Sequence, residues 1–343
     1  MKKNYNIIVF ALVLFVSFEA IAQDINFSQF YELPMLRNPS LGGIFKGDLR
    51  VSSAYRNQWQ SVTAPYQTSA LGIDFKTSVS QNSSDFFSVG LQITRDVAGD
   101  SKLGKTQFLP MVTYHKLIYG PSNTYLSLGF LGGPVQQRFD PSGLRFDDQF
   151  VNGSYSITNP TRQTFYRTSV DYIDAAFGLT MSTELNYTKA YIGASYFHFT
   201  QPKVAFNPIS DVKLNKKLVI NMGLNAPVSD FDDLILYGDL FFQGGSKQFQ
   251  GGMMYMYRFM EAGDEDEGVG VGFGGFYRWD DAIIPVLKYN WYKLSLSLTY
   301  DVNVSKLKTA SLYRGGAELT LTYKTYLNIM NTSLQKFRCI IPF

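Results

Sequence analysis

The dominant pattern along the chain is alternation. From Asp48 onward, apolar and polar positions exchange every residue, the repeat of a strand whose two faces meet different surroundings. Between Asp48 and Trp59, Leu49, Val51, Tyr55 and Trp59 share one face, and Asp48, Arg50, Ser52, Arg56 and Gln58 the other. Between Phe86 and Arg95, Phe87, Val89, Leu91 and Ile93 oppose Ser88, Gly90, Gln92 and Thr94. Ile173, Phe177, Leu179 and Met181 oppose Asp174, Gly178, Thr180 and Ser182. Tyr292, Leu294, Leu296, Leu298 and Tyr300 oppose Lys293, Ser295, Ser297, Thr299 and Asp301. Leu319, Leu321 and Tyr323 oppose Arg314, Glu318, Thr320 and Thr322. One such strand fits any half-buried antiparallel sheet; the signal lies in repetition. The pattern predicts about fourteen strands, near 48–59, 66–77, 85–95, 106–118, 123–132, 171–183, 186–197, 214–225, 234–243, 248–259, 268–278, 282–290, 291–301 and 312–323. Glycines from Gly268 to Gly275 and prolines at Pro110 and Pro285 blur the count.

Composition decides what the two faces meet. Aromatic residues are 16% and charged residues 17% of the 343, against about 25% charged in an ordinary soluble domain. Mean hydropathy is close to zero. This suits a sheet with one face in lipid and the other in water, with a soluble β-sandwich array as the alternative. Aromatic pairs near strand ends, Tyr55/Trp59, Tyr191/Tyr196 and Tyr292/Tyr300, fit an interfacial girdle.

The N-terminus reads as an export signal. Lys2 and Lys3 precede an apolar run from Ile7 to Phe18, and Ala20-Ile21-Ala22 is a small-x-small cleavage site. The run is too short to span a bilayer, and no longer one follows. Membrane insertion therefore requires a closed barrel, which satisfies every backbone polar group without helices. The expected layout is a signal peptide at 1–22, an N-terminal segment at 23–47, an all-β transmembrane antiparallel barrel at 48–323 and a periplasmic tail at 324–343. The segment 23–47 carries Phe27, Phe30, Tyr31, Leu33 and Pro34 and is read either as a plug in the lumen or as a periplasmic arm. Two connections are long: Pro134 to Val170, a functional loop or one folded into the lumen, and Thr200 to Leu214.

Candidate chemistry is sparse. His115 and His198 fall in no ligand-spaced motif and read as rim or lumen residues. No nucleophile elbow or Walker loop occurs, so no catalytic residue and no cofactor or metal site is assigned. The glycines at 268–275 read as a strand with a small-residue face that lets a plug approach closely. The acidic run Glu261 to Glu267 reads as a solvated turn. Net charge is +3 with no basic cluster, which argues against nucleic acid as a partner. The single cysteine, Cys339, excludes an internal disulfide. By parity Arg50, Arg56, Asp74, Asp174, Lys293, Arg314 and Glu318 face the lumen, where they fill it or dock another segment.

Several blocks resemble the PorP/SprF family. They are Phe27-Ser28-Gln29-Phe30-Tyr31, then Pro34 and Asn38-Pro39-Ser40-Leu41 with Gly43, and Tyr55-Arg56-Asn57-Gln58-Trp59 followed by Tyr66. Leu144-Arg145-Phe146-Asp147-Asp148-Gln149 and Asp171-Tyr172-Ile173-Asp174 with Gly178-Leu179 add to it. The end, Cys339 with Pro342-Phe343, departs from the family's Cys-Pro-Arg-Phe. The resemblance implies an outer-membrane barrel of Bacteroidota in the type IX secretion and gliding machinery, not an enzyme. Its implied partners are the C-terminal domain of a surface adhesin, periplasmic motor components, and outer-membrane lipid. A channel for small or hydrophobic solutes is the alternative. The candidate partner-binding or lumen residues are Phe27, Gln29, Tyr31, Asn38, Pro39, Arg56, Trp59, Arg145, Asp147, Arg314 and Glu318.

Overall fold

The structure, a computed structural model, describes residues 24–58, 64–80, 83–151, 153–156, 158–260, 268–306 and 308–327. The expected signal peptide, Trp59, the acidic turn 261–267 and Cys339 lie outside the described residues.

Fourteen antiparallel strands close into one barrel. They are β1 (Leu49–Gln58), β2 (Tyr66–Ser78), β3 (Phe86–Ala98), β4 (Leu103–Tyr119), β5 (Thr124–Arg138), β8 (Ser169–Leu185), β9 (Thr188–Phe197), β10 (Lys217–Pro227), β11 (Asp232–Gln243), β12 (Ser246–Met260), β13 (Val269–Arg278), β14 (Ala282–Trp291), β15 (Leu294–Asn303) and β16 (Arg314–Thr325). A separate hairpin, β6 (Phe150–Val151) and β7 (Ser154–Tyr155), lies in the long connection between β5 and β8. The wall closes by β16 returning to β1, with Leu49 opposite Thr325 and Arg56 opposite Glu318. Closure leaves no sheet edge, the condition for a strand structure in hydrocarbon.

Burial is inverted relative to a soluble sheet. Val89, Ile173, Leu179, Leu298 and Leu319 are exposed, while Ser88, Gln92, Thr180, Ser297 and Glu318 are almost wholly buried. The apolar face therefore looks outward to lipid and the polar face inward. Among the described residues no helix is long and apolar enough to cross a membrane.

The two ends differ. At one, hereafter the turn end, connections are short: β4–β5 at 120–123, β8–β9 at 186–187 and β14–β15 at 292–293. Asn186 and Tyr187 both have positive φ (49° and 66°), the pairing that a two-residue hairpin needs to follow strand twist. The other, the loop end, carries 139–168 and 198–216. In outer-membrane barrels short turns face the periplasm and longer loops face outside. The start of β1 and the end of β16 both lie at the turn end.

Some expectations change. Tyr191 is not in the girdle; it points into the lumen, because a tyrosine suits an interface and a polar core equally. Lys293 sits half-buried in the turn after β14, and Arg314 is exposed at the first residue of β16, so neither is set inside the barrel. Parity fixes a face but not where a strand stops. The 139–168 connection is not folded into the lumen: most of its residues are exposed, and it packs on the other long loop instead. On β13, a side chain at Gly272 would meet Met254 and Met256 of the adjacent strand rather than the N-terminal segment.

The inverted faces set a depth-dependent penalty. Leu179→Arg, on the outward face within β8, is expected to cost about 2–4 kcal/mol, and Leu185→Arg at the rim about 0–1 kcal/mol. Urea unfolding in lipid vesicles checks the difference; equal costs would contradict the assignment of the faces.

Candidate functional site

Residues 24–47 run the length of the lumen. Asp24 lies at the loop end against Lys105 (2.9 Å), Lys217 (3.5 Å) and His198 (3.3 Å). At the turn end the Asp48 N–H donates to the Thr325 carbonyl at 2.9 Å, where β1 begins. Between these points lie three short 3-10 turns, Phe30–Glu32, Pro34–Leu36 and Pro39–Leu41. Pro34 and Pro39 open two of them, since proline's fixed φ suits the first helical position and its missing N–H costs nothing there. Asn38 caps the third, accepting the Ser40 N–H at 2.9 Å. The turns satisfy most of their own backbone donors, among them the N–H groups of Glu32, Leu33, Leu36, Arg37 and Asn38, while those of Ser28, Gln29 and Gly43 find their acceptors on the wall.

The first anchor uses charges from β1, β13, β15 and β16. The N–H groups of Ser28 and Gln29 donate to the Glu318 carboxylate at 2.7 and 2.8 Å. Asp301 accepts from Ser28 Oγ and is bridged by Arg56 (2.6 Å) and Arg278 (3.1 Å). Arg56 also donates to the Asn26 carbonyl. Gln29 Oε1 accepts from Thr320 at 2.7 Å, and the Phe27 carbonyl accepts from Gln250 at 3.2 Å. Arg56 and Glu318, opposite each other where the wall closes, thus hold the segment from both sides of that seam.

Aromatic packing and a second ion pair hold the middle. Tyr31 stacks on Tyr237 (4.9 Å) and on Phe276 (5.1 Å), with Phe30 edge-on to Phe276. Glu32 pairs with Lys288 at 2.6 Å. Arg37 forms a two-bond pair with Asp239 and donates to the Tyr191 hydroxyl at 2.8 Å. Asn38 Nδ2 donates to Thr180 at 3.1 Å, and the Pro39 carbonyl accepts from Thr113 at 2.8 Å. Gly178 makes room for this: a Cβ there would overlap Asn38 Oδ1. Further down, the Gly43 N–H reaches Asp74 at 2.8 Å, and Asp74 is itself paired with Arg50.

Electrostatics tie down the loop-end terminus. Burial alone pushes the Asp24 carboxyl up, but Lys105, Lys217 and His198 outweigh it and hold it well below the usual carboxylate range. Asp24 is therefore ionised at neutral pH, and His198 bridges it to Asp174 (2.7 Å). His115 is fully buried between the hydroxyls of Ser88 and Ser127 and stacked on Phe86, filling space in the wall. A recess stays open at the turn end, bordered by Glu32, Lys288, Asp233 and Arg258.

Of the sequence-derived candidates, Phe27, Gln29, Tyr31, Asn38, Pro39, Arg56 and Glu318 meet in the lumen. Arg145 and Asp147 do not; both are exposed in the loop-end connection, Arg145 over the Tyr155 ring. Arg314 stands outside on the rim, and Trp59 lies outside the described residues. Sequence reasoning missed Glu32, Arg37, Asp239, Arg278, Lys288 and Asp301 as anchors. Two signals pointed to them: charged residues inside an aromatic-rich segment, and charges at lumen parity on the later strands.

This arrangement defines the class: an outer-membrane β-barrel of fourteen strands whose lumen is occupied along its length by its own N-terminal segment. The chain belongs to the family of type IX secretion system membrane proteins PorP/SprF, whose model matches residues 20–323. No curated protein matches it. Among solved structures it is similar to a Pseudomonas aeruginosa FadL homologue, at 10% identity and TM-score 0.46 over 84% of this chain and 92% of that one. It is also similar to the CymD monoaromatic hydrocarbon channel, at 11% identity and TM-score 0.45 over 87% and 94%. A third is the translocator domain of the autotransporter NalP from Neisseria meningitidis, at 10% identity and TM-score 0.40 over 81% and 88%.

Two outcomes follow from these anchors. Arg37→Ala leaves Asp239 buried without a counter-charge and is expected to cost about 3–5 kcal/mol, whereas Arg37→Leu combined with Asp239→Leu costs much less; chemical unfolding of the three proteins compares them. Deleting residues 26–46 should convert a protein of little current into a conducting one in planar-bilayer recordings. Large single-channel conductance in the intact protein would contradict an occupied lumen.

Proposed function

We propose that this chain is a non-enzymatic scaffold of the type IX secretion and gliding machinery that retains a surface adhesin through that adhesin's C-terminal domain. The observation that carries this reading is the anchored segment in the lumen. A diffusion channel needs an open path, and here buried ion pairs and stacked rings occupy it. What is left for function is the two ends. Membership of the secretion family supports a protein partner.

The loop end is the better docking surface for a partner outside the cell. The two long connections brace each other: Phe139 packs edge-on against Phe206, and Arg167 donates to the Ala205 carbonyl. Between them they leave Phe150, Tyr166, Ile209 and Val212 exposed. Apolar groups of that size clustered on braced loops are a common mark of a protein interface. A periplasmic motor component would instead meet the turn end, where the charged recess opens.

Replacing residues 145–163 with a short Gly-Ser linker, together with Tyr166→Ser, Ile209→Ser and Val212→Ser, keeps Phe139 and Arg167 and removes this surface. The shortened protein is expected to insert and resist denaturation like the native one while surface adhesin is lost, as read by antibody labelling of intact cells. Normal adhesin display and motility in a strain lacking the whole gene would overturn the scaffold reading.

A further inference from the structure

The outward wall of β3–β5 carries a second feature, independent of the lumen and of any protein partner. Phe87, Val89, Leu91 and Ile93 form the lipid-facing row of β3, and the next residue in that row is Arg95. On β5 the outward row of Leu126, Leu128 and Phe130 continues at the same parity to Arg138. The register holds throughout: Arg95 lies opposite Thr106 on β4, and Arg138 opposite Gly104, two residues further toward the loop end. Both arginines therefore stand just above the apolar band, on the lipid side, at the end that faces outside.

They border one crevice, and the protein builds its roof. The Phe139 N–H donates to the Thr168 carbonyl at 3.0 Å and the Asp140 N–H to the Ser101 carbonyl at 2.7 Å. These bonds strap the start of the long loop over the β3–β4 turn, enclosing a space lined by Arg95, Lys102, Thr106, Arg138 and Phe139. Asp96 and Asp140 also line it, and their carboxylates are engaged by other groups. Asp140 accepts the Ser142 N–H and hydroxyl at 2.9 and 2.6 Å. Asp96 faces the lumen and accepts the Thr68 hydroxyl. Neither the Arg95 nor the Arg138 side chain makes an ion pair or hydrogen bond among the described residues.

The geometry points to a binding site for the phosphate of an outer-leaflet lipid, its acyl chains lying along the apolar row below. Guanidinium groups present paired donors that match phosphate oxygens and are less strongly hydrated than an ammonium. Their height on the wall selects a head group rather than a dissolved ion. A phosphate held by Arg95 and Arg138 keeps its lipid tails in contact with Val89, Leu91 and Phe130. Such a lipid fixes the barrel's depth and orientation on one side.

Native mass spectrometry on the full-length protein in neutral detergent tests this, with diphosphorylated lipid A, its dephosphorylated form and inorganic phosphate as probes. The diphosphorylated lipid is expected to bind at least tenfold tighter than the dephosphorylated one. Arg95→Ala and Arg138→Ala should each weaken it about tenfold, the scale of one charge-assisted hydrogen-bond set. Lys247→Ala, on the opposite side of the loop-end rim, serves as the control and should leave binding unchanged. Unchanged circular dichroism shows that the variants fold. Equal binding of the two lipids, equal binding by the Arg95→Ala/Arg138→Ala protein, or full displacement by equimolar inorganic phosphate would each overturn the proposal.

Discussion

A wide barrel has an interior that its own wall cannot fill. Eight strands leave just enough room for inward side chains, and sixteen or more leave a water channel. Fourteen strands fall between, so the lumen needs either water or another piece of protein. In this chain the N-terminal segment supplies it, and the inward charges make that choice binding. Asp239, Glu318 and Asp301 are almost wholly buried; Asp239 is paired with Arg37 of the segment, and Glu318 and Asp301 are satisfied jointly by the wall and the segment. Removing the segment strands Asp239 and takes the backbone donors from Glu318; removing any one of these carboxylates strands an arginine or a backbone donor. A buried ion pair adds little net stability, but breaking one is costly. The network therefore acts mainly as a lock on one arrangement of segment and wall.

The lock also bears on how the barrel is completed. Ser28 and Gln29 bond to Glu318 across about the whole length of the strand region, and Arg56 meets Glu318 only where β1 pairs with β16. Contacts so distant in sequence form late, because loop entropy must be lost before they repay it. The seam that closes the wall is the seam that grips the segment, so closure and filling are energetically one event. Gly178 shows how closely the two surfaces fit: the wall gives up a side chain where the Asn38 amide enters.

Strands were legible from sequence because their signal is local and periodic. Two solvents on two sides write a period of two, and each predicted segment overlaps one barrel strand. What failed is what periodicity does not encode. Tyr191 has the right chemistry for a membrane interface and sits instead beside Arg37 in the core. Lys293 and Arg314 have lumen parity but fall where the strand has ended or barely begun. The segment 24–47 has no repeat, being a series of short turns, so its residues alone left lumen and periplasm equally open. Its strongest clue was chemical: Glu32 and Arg37 sit among phenylalanines, tyrosines and prolines, and such charges are seldom buried without partners. Those partners, Lys288 and Asp239, are more than two hundred residues away, beyond the reach of any local pattern.

A filled lumen changes what the barrel can contribute. On the scaffold reading proposed above, position matters in place of solute passage: the wall sets a depth, and the segment fills the wall from inside. Rigidity then matters at the ends, where binding groups sit on loops, since groups on a firm support lose less freedom when they engage a partner. The long loops at the outer end gain such support from Phe139 against Phe206, close above the strands that carry Asp24's counter-charges. The strand tips around the terminus of the segment thus carry the loops proposed above as the partner surface. A pull on that surface is met by the ion pairs around Asp24 and, below them, by the Arg56–Asp301–Glu318 cluster. On that proposal, buried charge, which adds little to the stability of a resting barrel, is what resists a load applied from outside.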